Sequence, residues 1–184
     1  MRNRSAARAR EWRERKHKVP LEKSVPLRIC YWNCNGLSCV LKQQQVAEVM
    51  EGEQIDLMLI DETHFRYGAN NDLSVFSPWT QYYRERSYAD KNGGGKMILV
   101  SDRLNHSEWS PKNGLPWVEN ERAWILIHNQ GMRLAVCSVY MAAEVMGSTG
   151  FKDWNRELYA HIADEISCLE QDVYGCIIIG DFNG

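Results

Sequence analysis

Three apolar segments of this chain each end in a small group of amide and carboxylate residues. Asn33 and Asn35 follow LRICYW, Glu62 follows IDLMLI, and Asp181 and Asn183 follow CIIIG. Carboxylate and amide oxygens are hard donors. Gathered in one place they suit Mg²⁺, which takes one or two carboxylates and keeps several of its waters. Amide N–H groups beside them can donate to phosphate oxygens, which carboxylates cannot. Each group also has a plainer reading. Asn33-Cys34-Asn35-Gly36 suits a turn, because Asn and Gly tolerate positive φ. Asp61-Glu62-Thr63 suits a helix N-terminus, and Asp181-Phe182-Asn183-Gly184 a surface turn. Tyr140, which ends another apolar segment, reads as a half-buried aromatic with its hydroxyl at the rim. The combination outweighs its members, because loops at the carboxyl ends of α/β strands converge on one crevice.

The elements that must position these residues follow from periodicity. Leu27–Trp32 reads as a short strand, and 40–51 as a helix with Val40, Val46, Val49 and Met50 on its apolar face. Ile55–Ile60 is a near-continuous apolar run, the pattern of a strand covered on both sides. Periodicity is lost from Gly68 to Tyr83, which reads as loop with room for one short strand. Lys96–Ser101 is a strand entered through Gly93–Gly95. Glu121–His128 and Arg133–Tyr140 form two strands joined at Asn129-Gln130-Gly131, a hairpin signal. In Phe151–Leu169, Phe151, Trp154, Leu158, Ile162, Ile166 and Leu169 make one helical stripe. Cys176–Gly180 is again a buried strand. Alternation of strand and helix at both ends, with antiparallel pairing between, predicts a mixed sheet with flanking helices.

Composition bounds the function classes. The chain has 184 residues, enough for one domain with a real core. No apolar run approaches the roughly 18 residues of a membrane span, and the arginine-rich N-terminus lacks the apolar stretch of a secretory signal. A soluble, intracellular protein is expected. The net charge of -2 conceals a balance of +6 over residues 1–24 and -8 over the rest. A basic arm on an acidic body fits nucleic-acid contact or nuclear targeting. It equally fits a solvated, disordered tail or a linker from a longer polyprotein. The chain accordingly divides into a tail over 1–26 and a folded domain over 27–184. The six cysteines lack the pair spacing of a zinc site. Cys137, Cys168 and Cys176, within apolar periodic segments, read as buried free thiols.

In order along the chain stand WNCNGL (Trp32–Leu37), LIDETH (Leu59–His64), GGG before an apolar strand (Gly93–Val100), a strand ending in Val139-Tyr140, and IIIGDFNG (Ile177–Gly184). Through these motifs the chain from Leu27 onward resembles the endonuclease/exonuclease/phosphatase superfamily. Within it, the likeness is to the apurinic-endonuclease-like domains of non-LTR (LINE-type) retrotransposons. The resemblance implies a four-layered α/β sandwich of two mixed sheets with flanking helices, incomplete at the C-terminus. It implies hydrolysis of a phosphodiester by water with Mg²⁺, or Mn²⁺ in its place. It makes Glu62 the principal metal ligand, with Asn35 helping to hold the metal or its waters. Asn33 supports the phosphate site and Tyr140 hydrogen-bonds the scissile phosphate. Asp181 orients or activates the attacking water, and Asn183 positions it with the phosphate. DNA is the implied substrate, the nucleus the implied location, and a reverse-transcriptase domain of the same polyprotein the implied partner.

Departures from the family pattern are equally specific. Asp61 stands where a glutamine usually precedes the metal-binding glutamate, and is expected to add charge beside the metal. After Val139-Tyr140 the chain reads Met141-Ala142-Ala143-Glu144, without the proline and asparagine common there. A late aspartate and a Ser-Asp-His segment, which follow GDFN in the family, are absent, so weak or no catalysis is expected of the chain as it stands. His64, His106, His128 and His161 are read as ordinary histidines. Two alternatives remain: an inositol-phosphate or lipid phosphatase of the same superfamily, and a non-catalytic nucleic-acid-binding remnant.

Overall fold

The computed structural model describes residues 26–65, 72–85, 94–111, 121–129, 131–141, 150–169 and 173–183. The basic tail expected over 1–26 lies, but for its last residue, outside the described residues, as do Gly93, Ala142–Glu144 and Gly184.

Among the described residues, eight strands form two four-stranded sheets. The first holds β1 (Ile29–Asn33), β2 (Leu57–Asp61), β3 (Trp79–Arg84) and β4 (Lys96–Ser101) in the order β1-β2-β4-β3. The second holds β5 (Asn105–Trp109), β6 (Arg122–Asn129), β7 (Met132–Tyr140) and β8 (Gly175–Asp181) in sequence order. In each sheet one pair is parallel, β1 with β2 and β7 with β8, and the others are antiparallel. Parallel neighbours need a crossover. Helix α1 (Val40–Gly52) supplies the first and helix α2 (Gly150–Leu169) the second.

Side-chain alternation sorts these elements into four layers. Leu57, Leu59, Ile98 and Val100 point inward from the first sheet and meet Ile125, Ile127 and Val136 of the second. Their neighbours Met58, Ile60, Met97 and Leu99 point outward and pack with Val46, Ala47 and Met50 of α1. On the far side, Trp124, Leu126, Ala135 and Cys137 pack with Leu158, Ile162 and Leu169 of α2. The expected four-layered sandwich of two mixed sheets is therefore the observed architecture. A buried polar contact also joins α2 to its sheet. Glu165, 5% exposed, accepts from the Arg122 guanidinium and from Trp124 Nε1 at 2.7 Å.

Leu158 is fully buried at the centre of that outer interface. Leu158→Ala is expected to cost about 3 kcal/mol, transfer and cavity terms together, read as a lower urea midpoint at unchanged slope.

Several sequence readings need correction. On α1 the buried stripe is Gln43, Val46, Ala47 and Met50, while Val40 and Val49 are exposed. Positions 43, 46, 47 and 50 share one face at helical spacing, and Gln43 is tolerated there because its Nε2 donates to Leu37 O at 2.9 Å. Cys168 is exposed, since it lies beside Leu169 and off the buried line of α2, and Cys176 is only half-buried on β8; Cys137 alone of the three is fully buried. The aperiodic stretch holds a 3₁₀ turn at Ser74–Phe76 before β3. Strand β5, NHSEW, carries no sequence signal, because an edge strand with polar alternation looks like a loop.

Candidate active site

Both parallel pairs end at the same place. Asn33 is the register partner of Asp61 at the end of the first pair, and Tyr140 of Asp181 at the end of the second. The loops beyond continue the pairing. Cys34, Gly36 and Leu37 donate their N–H groups to the carbonyls of Asp61, Glu62 and Thr63 at 2.9, 2.6 and 2.8 Å. Thr63 and His64 in turn donate to Gly95 and Gly94. Gly95 has φ +87, and a Cβ there would lie 2.6 Å from Thr63 Oγ1, so only glycine lets the strand pass so close.

Backbone strain collects at these ends. Among the described residues the non-glycine positions with positive φ are Asn35, Gln54, Glu62, His64 and Asn183, and all but Gln54 belong to the strand-end loops. Each such residue costs on the order of 1 kcal/mol or more, so surrounding contacts must hold it.

Those contacts bring four of the six candidate residues together. Asn33 Nδ2 donates to Glu62 Oε1 and to Asp181 Oδ2, both at 3.1 Å. One amide thus joins two carboxylates, one from each sheet. Tyr140 hydrogen-bonds Glu62. Asn183 is tied one step away: its N–H donates to Asp181 Oδ1 at 3.1 Å, and its Nδ2 to Met141 O at 2.7 Å. The Asn35 side chain is exposed and outside the cluster, its backbone N–H donating to Asn33 Oδ1 at 3.3 Å.

Two residues differ from their sequence reading. His64, read as an ordinary histidine, stands at the cluster, its Nε2 3.5 Å from Glu62 Oε2. That nitrogen is buried yet has no hydrogen-bond partner. Glu62 and His64 both lie beyond the end of β2 in left-handed backbone, so no strand alternation in the sequence signals their approach. Asp61 does not add charge beside the cluster. It is fully buried between the sheets, ion-paired with Lys96, and accepts from Tyr31 OH at 3.1 Å and Ser138 Oγ at 3.3 Å.

Electrostatics favour an ionised Glu62. Burial works to raise its pKa, but hydrogen bonds from Asn33 and Tyr140 and the nearby His64 ring outweigh it and hold the carboxyl below the usual glutamate range. Tyr31 is pushed far up, by burial and then by the Asp61 carboxylate, so it stays a donor. Burial also raises the Cys34 thiol to about 11. Exposed Cys39, by contrast, is lowered by backbone hydrogen bonds from Lys42 and Leu41. Iodoacetamide at pH 8 is therefore expected to label Cys39 well before Cys34, as peptide mapping would read.

The donor set fits a hard divalent cation held largely by water. Two carboxylates share one hydrogen-bond donor, so a cation would relieve their repulsion. Beside them the buried His64 Nε2 has no polar approach closer than the 3.5 Å to Glu62 Oε2. Among the described residues no three of His, Cys, Asp and Glu converge to form a closed cage, and Mg²⁺ needs none.

No curated protein matches this chain. Solved structures with the same fold include the apurinic endonuclease LMAP from Leishmania major (TM-score 0.67, 18% identity, 84% of this chain and 54% of that one). Another is the 3′ phosphatase NExo from Neisseria, bound to product DNA hairpin (0.60, 18%, 86% and 58%). A third is the endonuclease domain of TRAS1, a telomere-specific non-LTR retrotransposon (0.57, 15%, 87% and 62%). The chain spans less than two thirds of the length of each. At such identities the likeness establishes the fold. Residues 30–184 match the endonuclease/exonuclease/phosphatase family over most of the chain, and the protein belongs to that family.

Proposed function

We propose that this domain hydrolyses phosphodiester bonds in DNA with Mg²⁺ or Mn²⁺, as the endonuclease of a non-LTR retrotransposon. The observation that carries the reading is the Asn33 amide shared between Glu62 of one sheet and Asp181 of the other. Family membership and likeness in fold to nucleases and to the TRAS1 domain support it.

In this reading Glu62 would be the principal ligand of the ion, and the exposed Asn35 would help to hold the ion or its waters. The cation supplies charge stabilisation on the phosphoryl and leaving oxygens. Asn33 keeps Glu62 and Asp181 at a fixed spacing and supports the phosphate. Tyr140 donates to a phosphate oxygen when substrate displaces its bond to Glu62. Asp181 orients the attacking water and accepts its proton, and Asn183 holds the Asp181 carboxylate through its backbone N–H. Lone-pair alignment of that water with phosphorus is what a carboxylate fixed on both oxygens provides. In a full-length element the partner is the reverse-transcriptase domain of the same polyprotein, and the place of action the nucleus. Among the described residues no helix is long and apolar enough to cross a membrane.

The test is nicking of supercoiled plasmid with Mg²⁺, against EDTA and against an inositol phosphate as rival substrate. Slow, EDTA-sensitive nicking that falls on the order of 10³-fold in Asp181→Asn is expected. Turnover of the inositol phosphate without nicking would replace the endonuclease reading with the phosphatase one.

A further inference from the structure

A group of buried polar residues lies beneath the cluster. Asp61 and Lys96 are register partners on adjacent strands, 0% and 1% exposed, with their charges paired. Asp61 also accepts from Ser138, across the space between the sheets. The Lys96 ammonium lies 5.8 Å from the centroid of the Tyr140 ring. Ser138 and Tyr140 are two apart on β7 and so share a face. This polar bridge therefore joins the first sheet to the second at the level where the strands end. Asn33 and Glu62 come from one sheet, and Tyr140 and Asp181 from the other. The separation of the two halves depends on whatever spans the sheets at that level.

We propose that Lys96 is a positioning residue of the site, its ammonium held by Asp61 on one side and seated on the Tyr140 ring on the other, so that Tyr140 is fixed against Glu62. A cation over an aromatic face is stronger when both are shielded from water. Asp61 makes that burial possible, since an unpaired ammonium would not stay charged there. The proposal rests on the reading of Glu62 and Tyr140 as parts of a cation and phosphate site. A mere stability role is the rival account.

The two separate in a variant that removes both charges at nearly constant volume, Asp61→Asn with Lys96→Met. Fluorotyrosine-labelled protein reports Tyr140 directly, its signal assigned with Tyr140→Phe, and Mn²⁺ titration followed by electron paramagnetic resonance reports the site. In the folded double variant the Tyr140 signal should shift or broaden, and Mn²⁺ affinity should fall about tenfold. Arg103→Met breaks a pair with Asp56 at the opposite end of the first sheet, and should change neither. A double variant that keeps the wild-type Tyr140 signal, and Mn²⁺ affinity within about twofold, overturns the proposal. Should the double variant not fold, Lys96→Gln keeps a donor to Asp61 without charge over the ring, and the same two readings decide. If the wild type binds no Mn²⁺ through Glu62, the proposed function fails, and the Tyr140 signal still settles what Lys96 does.

Discussion

Replacing Glu62 with glutamine is expected to remove Glu62-dependent cation binding and to lower nicking on the order of 10³-fold, with the melting temperature shifted by only a few degrees. The substitution keeps the shape of the side chain and an oxygen able to accept from Asn33 Nδ2. What goes is the negative charge, which is what a cation would bind. Fold stability should be nearly indifferent, because Glu62 sits at a strand end with its side chain 22% exposed. The pH dependence adds a second reading. The Glu62 carboxyl is held below its ordinary value by Asn33, Tyr140 and His64 against the opposing effect of burial. A depressed folded pKa contributes stability that is present above the unfolded value and lost as pH falls through the folded one. Without cation, the wild type should therefore lose stability relative to Glu62→Gln on acidification through and below the ordinary glutamate range. Denaturation curves of both proteins at pH 6 and pH 3 measure it. Cation binding that survives Glu62→Gln unchanged would sink the assignment of the metal ligand.

The fold is legible wherever burial on both faces writes itself as a continuous apolar run. The apolar stretches of IDLMLI and KMILVS are such runs and form β2 and β4, buried along their length. CIIIG forms most of β8, which stands at the edge of the described sheet and is half-buried rather than the buried strand its apolar run suggests. Edge strands are harder. β5 presents polar residues to solvent, and β3 mixes aromatics with Thr80, Gln81 and Arg84 in a pattern that resembles a loop. The face of α1 misleads because counting apolar residues favours Val40 and Val49 over Gln43, and only the Leu37 carbonyl makes Gln43 the better buried residue. The strand-end residues stand out because an acid or amide directly after a buried run is unusual. Their mutual geometry does not. Asn33 and Asp181 are 148 residues apart, and nothing local says that their side chains meet. The same holds for Asp61 and Lys96, whose pairing emerges only once β2 and β4 are in register. Charge beside a candidate ligand looks like charge at the site, whereas the pleat turns Asp61 inward and Lys96 neutralises it.

Gly180→Ala is expected to prevent stable folding, with a cost above about 4 kcal/mol against the roughly 5–15 kcal/mol that holds a domain together. The reason is steric. Gly180 pairs with Val139 across the parallel β7–β8 ladder, and a Cβ there would lie 1.7 Å from Val139 O and 2.9 Å from Val139 Cγ1. A backbone oxygen cannot yield as the end of a flexible side chain can. Relief requires β8 to move off β7, which breaks the bond from Met141 N to Asp181 O and carries Asp181 away from Asn33. The glycine of the GDFN segment is thus required by the approach of two strands, and through it the carboxylate reaches the other sheet. Gly175, on the same strand, has open space for 4 Å around the place a Cβ would take, so Gly175→Ala is the control and should be neutral or slightly stabilising. Amide NMR dispersion and urea midpoints of the two variants give the comparison. Equal stability of Gly180→Ala and Gly175→Ala would mean that the two strands do not approach as described, and the bridge between Glu62 and Asp181 would lose its support.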